Sequence, residues 1–116
     1  MTAAVTITDD LPGNTFMAAW TLTTADATGE AIEIPGAADR TVQFEGTWGG
    51  ATAQLEGSND NSVWVALTNP ATGTAISATT DATGMSAVME NPRYIRAKLT
   101  TAGAGATVRA KLFSRG

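Results

Sequence analysis

The chain has 116 residues, with 22 Ala, 20 Thr, 7 Lys or Arg and 11 Asp or Glu, for a net charge of −4. Having no His and no Cys, it cannot build a Ser/His/Asp or Cys/His triad, a thiol redox pair, a disulfide framework or the usual zinc cage. No stretch approaches the roughly 18 apolar residues of a membrane-spanning helix, and the first ten residues lack the basic start of a secretory signal, so the sequence reads as a protein made in the cytosol.

Removing Ala from the hydrophobic residues leaves 28 large apolar or aromatic side chains. At about 1.5–3 kcal/mol for each one buried, against about 1.5 kcal/mol of ordering entropy per residue, the core of a lone monomer is thin. Self-association, or a surface to sit on, is expected to supply part of the stability.

Thr, Val, Ile and aromatic residues alternate in short runs broken by Gly, Pro, Asn and Asp, and helical periodicity is almost absent. This predicts an all-β protein, a single-domain β-sandwich or jelly roll of about eight strands. In chain order, residues 1–14 read as an acidic segment or arm broken at Pro12-Gly13, and residues 15–116 as the sandwich. The expected strands are 4–8, 15–23, 31–34, 41–47, 51–56, 63–68, 74–79, 93–100 and 107–113. Turn chemistry separates them at Pro35-Gly36, Gly49-Gly50, 57–62, Asn69-Pro70 and 101–105.

The faces of these strands divide cleanly. Val42 and Phe44 oppose Gln43 and Glu45, and Ala51, Ala53 and Leu55 oppose Thr52, Gln54 and Glu56, which predicts one core face and one wet face. Over 63–67, Val63, Val65 and Leu67 share a side, and Trp64 on the other either closes the sandwich edge or is presented outward. Residues 93–113 read as a hairpin, with Ile95, Ala97, Leu99, Val108, Ala110 and Leu112 in the core. Tyr94, Arg96, Lys98, Arg109, Lys111 and Phe113 then face out. A turn centred near Gly103 and Ala104 would set Lys98 opposite Arg109 and Arg96 opposite Lys111, and like charges across a ladder are unfavourable. Glu45, Glu56, the acidic N-terminal segment or an external acidic surface is expected to meet that stripe.

Charge is segregated: residues 1–39 hold six acids and no base, residues 91–116 six bases and no acid. That favours attraction between the two ends, within one chain or between copies. Nucleic acid is not expected, because the chain is acidic and only Tyr94 and Phe113 stand beside the stripe to stack on bases.

Motifs for chemistry are weak. Gly103-Ala104-Gly105 begins like a dinucleotide loop, but Val108 stands where a third small residue is required and no helix follows. Asp9-Asp10 and Glu30 with Glu33 are the paired carboxylates, in a chain too short for the deep cleft of a glycosidase. Residues 56–61 carry many oxygens without the ligand spacing of a calcium loop. No cofactor and no metal is expected, and the reading is of a protein that is not an enzyme.

The segment Phe44-Glu45-Gly46-Thr47-Trp48-Gly49-Gly50-Ala51-Thr52, then Leu55-Glu56-Gly57-Ser58-Asn59-Asp60 to Trp64, and Glu90-Asn91-Pro92-Arg93-Tyr94-Ile95-Arg96 resemble tailed-bacteriophage capsid decoration or cement proteins. The similarity covers roughly residues 40–113. It implies a β-sandwich or jelly roll without catalysis that binds the exterior of the virion, with the major capsid protein and its own copies as partners. Oligomerisation, as a trimer by analogy, is also implied. The partner-binding candidates are Trp64, Tyr94, Arg96, Lys98, Arg109, Lys111 and Phe113. Two other readings stay open: a small tail or baseplate component, and a carbohydrate-binding module. The latter rests on a likeness of Gly57-Ser58-Asn59-Asp60 and Trp64 to the hairpin of discoidin-like domains, where Trp48 or Trp64 would stack on a sugar.

Overall fold

Period-two alternation of apolar and polar side chains folds most of the chain into strands. A computed structural model describes residues 2–8, 15–33, 39–79, 84–101 and 104–115. Its strands are β1 (Thr2–Ala3), β2 (Val5–Thr8), β3 (Thr15–Thr23), β4 (Thr28–Gly29), β5 (Ile32–Glu33), β6 (Asp39–Thr47) and β7 (Thr52–Ser58). They continue as β8 (Val65–Ala66), β9 (Thr68–Asn69), β10 (Thr74–Ala75), β11 (Ser77–Thr79), β12 (Gly84–Ala87), β13 (Tyr94–Thr101) and β14 (Thr107–Arg115).

Two sheets form a sandwich. One is antiparallel in the order β12-β6-β14-β3-β2; the other runs β1-β4-β13-β7-β11, with β5 also on β13 and β8 also on β7. β9 and β10 make a separate small hairpin. Between the sheets lie Trp20, Leu22, Val42, Val108 and Leu112 from the first and Leu55, Ile95 and Leu99 from the second. The alternation in 42–45, 51–55, 95–99 and 108–112 therefore sorts core from surface as expected. Ala at 18, 53, 97 and 110 is buried as well, and these small side chains let the two sheets approach closely. Gly29 is needed for the same reason: a Cβ there would lie 2.6 Å from the Ala97 carbonyl oxygen and 2.7 Å from Trp20 Cδ1. At the Gly49-Gly50 turn both residues have positive φ (+56° and +87°), and Ala51 N–H donates to the Trp48 carbonyl at 2.8 Å, the geometry for which glycine is suited.

Residues 2–8 are paired with both sheets. β1 runs parallel to β4 with Ala3 buried, and β2 lines up along β3 with Val5 beside Trp20. The described part of the 1–14 segment is thus sheet, and Asp9, Asp10 and the Pro12-Gly13 break lie outside the described residues.

The expected hairpin of 93–113 is not formed. β13 pairs with β7, β4 and β5, whereas β14 pairs with β3 and β6 in the other sheet. Lys98 therefore faces Gln54 and Thr28 instead of Arg109, and Lys111 faces Gln43 and Ala19 instead of Arg96. The physical reason is charge. A β13–β14 ladder would oppose like charges, while the observed register sets Glu56 opposite Arg96, Glu45 opposite Arg109 and Asp39 opposite Arg115. A second correction concerns the shared side of 63–67: Leu67 is buried, but Val63 and Val65 are 67% and 63% exposed. β8 is only two residues long, too short to hold the regular alternation that the pattern presupposes.

Candidate functional site

Splitting the two C-terminal strands between sheets divides the seven candidate residues into two groups on opposite outer faces. Tyr94, Arg96 and Lys98 lie on β13, with Trp64 above it; Arg109, Lys111 and Phe113 lie on β14.

The first group is tightly built. Arg96 on β13 is flanked by Glu56 on β7, and its Nε donates to Glu56 Oε1 at 2.9 Å. The guanidinium also sits 4.1 Å from the centre of the Trp64 ring, within cation–π range. Glu56 is consequently buried although it points to the outer side. One register step along, Arg93 lies over the Tyr94 ring at 5.1 Å and pairs with Glu33 on β5. That partner raises the Arg93 pKa through its hydrogen bond and its charge. The result is a surface of two aromatic rings, each with a guanidinium already oriented by a carboxylate. Lys98, beside it, makes no ion pair among the described residues.

The second group occupies the outer face of the five-stranded sheet. Glu45 bridges Lys111 at 2.7 Å and Arg109 at 3.8 Å, and Arg115 pairs with Asp39 at 3.7 Å. The Lys111 hydrogen bond and charge, with help from Arg109, hold the Glu45 carboxyl below its ordinary value. Phe113 is 38% exposed, next to Thr41 and Met17 in its row, and Met85 on β12 is 67% exposed in the next. The anionic partners expected for the basic stripe are thus Glu45 and Glu56, and acids from the first forty residues, Glu33 and Asp39, join in.

A third feature escaped the sequence reading. An open groove of about 500 Å³ runs beside β8, lined by Val63, Val65, Leu67 and Pro92 with Asp60 and Glu90 at its sides. Asp60 is consumed by its turn: Oδ1 accepts from Ser58 Oγ, Ser62 N–H and Val63 N–H at 2.8–3.0 Å. Asn59 Oδ1 ties the same turn to Arg93 N–H at 3.0 Å. Burial pushes the Glu90 carboxyl up, but two hydrogen bonds from Thr68, at 2.7 and 2.6 Å, outweigh that and hold it below the ordinary value. Backbone bonds to Asp60, from Val63 first, lower it as well. Both groove carboxyls are thus partnered and held below the ordinary value, the opposite direction from the raised general acid of glycoside hydrolysis. Of the other carboxylates singled out, Glu30 accepts from Val5 N–H at 3.2 Å and Glu33 pairs with Arg93.

These shifts set a pH response. Glu45, Asp60 and Glu90 all have lowered folded-state values, so the unfolded chain binds more protons and acid favours it. Their contribution is fully present above the ordinary carboxylate values and is lost as pH falls through the folded ones. Thermal midpoints are expected to be level between pH 7 and about 5.5 and to fall steadily below about 4.5. The fall should be shallower in Glu45→Gln/Glu90→Gln; equal slopes in the variant and the parent would contradict the assignment.

Trp48 is 1% exposed and Trp20 equally buried, which removes Trp48 as a sugar platform. Trp64 is half-buried, with the Arg96 guanidinium against its ring.

No family model and no curated protein matches the chain. Among solved structures it resembles the crystal structure of the SPBc2 prophage-derived protein YomS, with a TM-score of 0.60 and 15% sequence identity over 86% of this chain and 95% of that one. At that identity the likeness establishes a shared β-sandwich fold.

Proposed function

We propose that the chain is a non-enzymatic structural protein of a tailed-bacteriophage particle that binds the outside of the capsid and bridges capsid subunits as a homo-oligomer. The observation that carries this reading is the Trp64–Arg96–Glu56 and Tyr94–Arg93–Glu33 surface on the outer face of the seven-stranded sheet. Trp, Tyr and Arg are the residues enriched at interface hot spots, and here each guanidinium is pre-oriented by a carboxylate, which lowers the ordering cost of docking. Support also comes from the resemblance of residues 40–113 to decoration proteins and from a fold shared with a prophage-derived protein. Trp64, Tyr94, Arg96 and Lys98 form the docking face toward the major capsid protein, and the place of action is the virion surface after synthesis in the host cytoplasm.

Co-sedimentation with heads of the encoding phage tests this. Saturable binding to mature heads assembled without the protein, and much weaker binding to unexpanded heads, is the expected result. Absence of binding to either, with binding to isolated tails or to glycans instead, would replace the capsid reading.

A further inference from the structure

A bridge needs two docking faces, and one copy presents a single aromatic–guanidinium surface; the outer face of the five-stranded sheet supplies the means of joining two copies. We infer that this face is a self-complementary dimer interface whose two-fold axis runs parallel to the strands between β6 and β14. The inference rests on the bridging role only for its purpose, not for its geometry.

The geometry comes from the register. On this face β6 carries the acids, Asp39 and Glu45, and adjacent β14 carries the bases, Arg109 and Arg115, in the same two rows. A two-fold axis between the columns exchanges them. Glu45 of each copy then lies over Arg109 of the other, and Asp39 over Arg115. Lys111 holds Glu45 Oε1 at 2.7 Å within one copy, but Arg109–Glu45 Oε2 and Arg115–Asp39 are loose, at 3.8 and 3.7 Å, which leaves Oε2 and Asp39 to the arriving arginines. An axis across the strands would instead stack bases on bases and acids on acids, so the charge pattern selects the first.

The same operation matches the rows between the charges. One row reads Ala87, Thr41, Phe113, Met17 across β12, β6, β14 and β3, and the next reads Met85, Gln43, Lys111, Ala19. Exchange sets Phe113 over Thr41, Met17 over Ala87 and Met85 over Ala19, a large side chain against a small one, and sets Lys111 over Gln43, whose amide oxygen can accept from the ammonium. A depression of about 360 Å³, lined by Thr41, Ala87, Val88 and Phe113 with Asp39, Arg40 and Arg115 at its charged end, lies where the second copy's Phe113 arrives. From strand and residue spacings the face covers on the order of 500 Å². Two copies would bury about 1,000 Å², the lower bound for a specific interface, with Phe113 central beside Thr41, Gln43 and Lys111, Met17 and Met85 flanking them, and the exchanged ion pairs in the first and last rows. Both Trp64–Arg96 surfaces remain uncovered, one on each side of the dimer, so each copy can dock on a different capsid subunit.

Sedimentation equilibrium of the full chain, without heads, tests the interface. The expected mass is twice the 11.8 kDa of one copy, and Phe113→Glu is expected to sediment as a folded monomer at the same concentration. Because the chain has no Cys, Ala19→Cys/Met85→Cys offers a second readout. The two positions are three strands apart within one copy, about 14 Å, whereas across two sheets packed face to face, about 10 Å apart, thiols that point at each other come within reach of a short bifunctional thiol reagent, so that reagent is expected to give a covalent dimer. A monomeric parent, a trimer, or a dimer that neither responds to Phe113→Glu nor cross-links through 19 and 85 would overturn the inference. A dimer that binds no heads would sink the capsid reading alone, and head binding by a monomeric parent would sink the dimer alone.

Discussion

Trp20→Ala is expected to remove most of the domain's stability. Trp20 is 1% exposed on β3, its ring lies against Gly29, and its Nε1 donates to the Glu30 carbonyl at 2.8 Å. It thus joins the two sheets by packing and by a hydrogen bond at once. Truncating a buried Trp costs about 3–5 kcal/mol, set against the 5–15 kcal/mol that holds a typical domain together. A core in which Ala occupies so many inward positions has few large neighbours to collapse into the space. Urea unfolding followed by far-ultraviolet circular dichroism should place the Trp20→Ala midpoint far below that of the parent. Trp20→Phe should fall between them, since it keeps an apolar ring and loses only the hydrogen bond and part of the volume. A loss below about 1 kcal/mol for Trp20→Ala would mean that the ring does not join the sheets as described.

Trp64→Ala is expected to weaken head binding by about thirtyfold or more, the effect of losing an interface hot spot of about 2 kcal/mol. The same substitution should alter unfolding little, because Trp64 is half-buried and rests on Arg96 outside the core. Arg96→Lys should also weaken binding, because an ammonium group neither stacks flat on the indole nor keeps the fork that Glu56 orients. Titration of heads with labelled protein measures both. An unchanged dissociation constant in Trp64→Ala would move the docking surface elsewhere, with the apolar groove at Val63 and Val65 the next place to examine.

Much of the sandwich was legible because burial imposes a period of two wherever strands are long. The runs 15–23, 41–47 and 107–113 coincide with β3, β6 and β14 to within two residues at either end, and their inward residues are those that alternation names. Short strands left no such mark. β1, β4 and β12 were not expected, since two to four residues such as Thr28-Gly29 or Gly84–Ala87 carry no readable alternation. Pairing was illegible for a different reason: β13 and β14 have the same pattern, and nothing in a periodicity says whether two adjacent strands share a sheet. The charges held that information. Glu45 and Glu56 are recognisable in the sequence as counter-ions to the basic stripe, and assigning each its own bases separates Arg96 from Arg109 and Lys111.

The site was legible as residue types and not as an arrangement. Trp64, Tyr94 and Arg96 do gather on one face, but Arg109, Lys111 and Phe113 lie on the other, beside Met17 and Met85, which attracted no notice because single methionines in alternating runs read as ordinary strand residues. The groove beside β8 was missed because Val63 and Val65 look like core in a pattern that assumes a longer strand.

Heating heads gives the most direct test of bridging, because it separates occupancy from cross-linking. Mature heads alone, heads saturated with the parent chain and heads saturated with Phe113→Glu are compared for the temperature at which the shell ruptures. Ligand bound only to the intact shell stabilises it by mass action, by about 2.7 kcal/mol per site at a concentration 100 times the dissociation constant, and a bridge adds the cost of parting two subunits. Bridging should give a large rise in rupture temperature with the parent chain and a much smaller one with Phe113→Glu at equal occupancy. Saturated heads that rupture at the temperature of bare heads would contradict it.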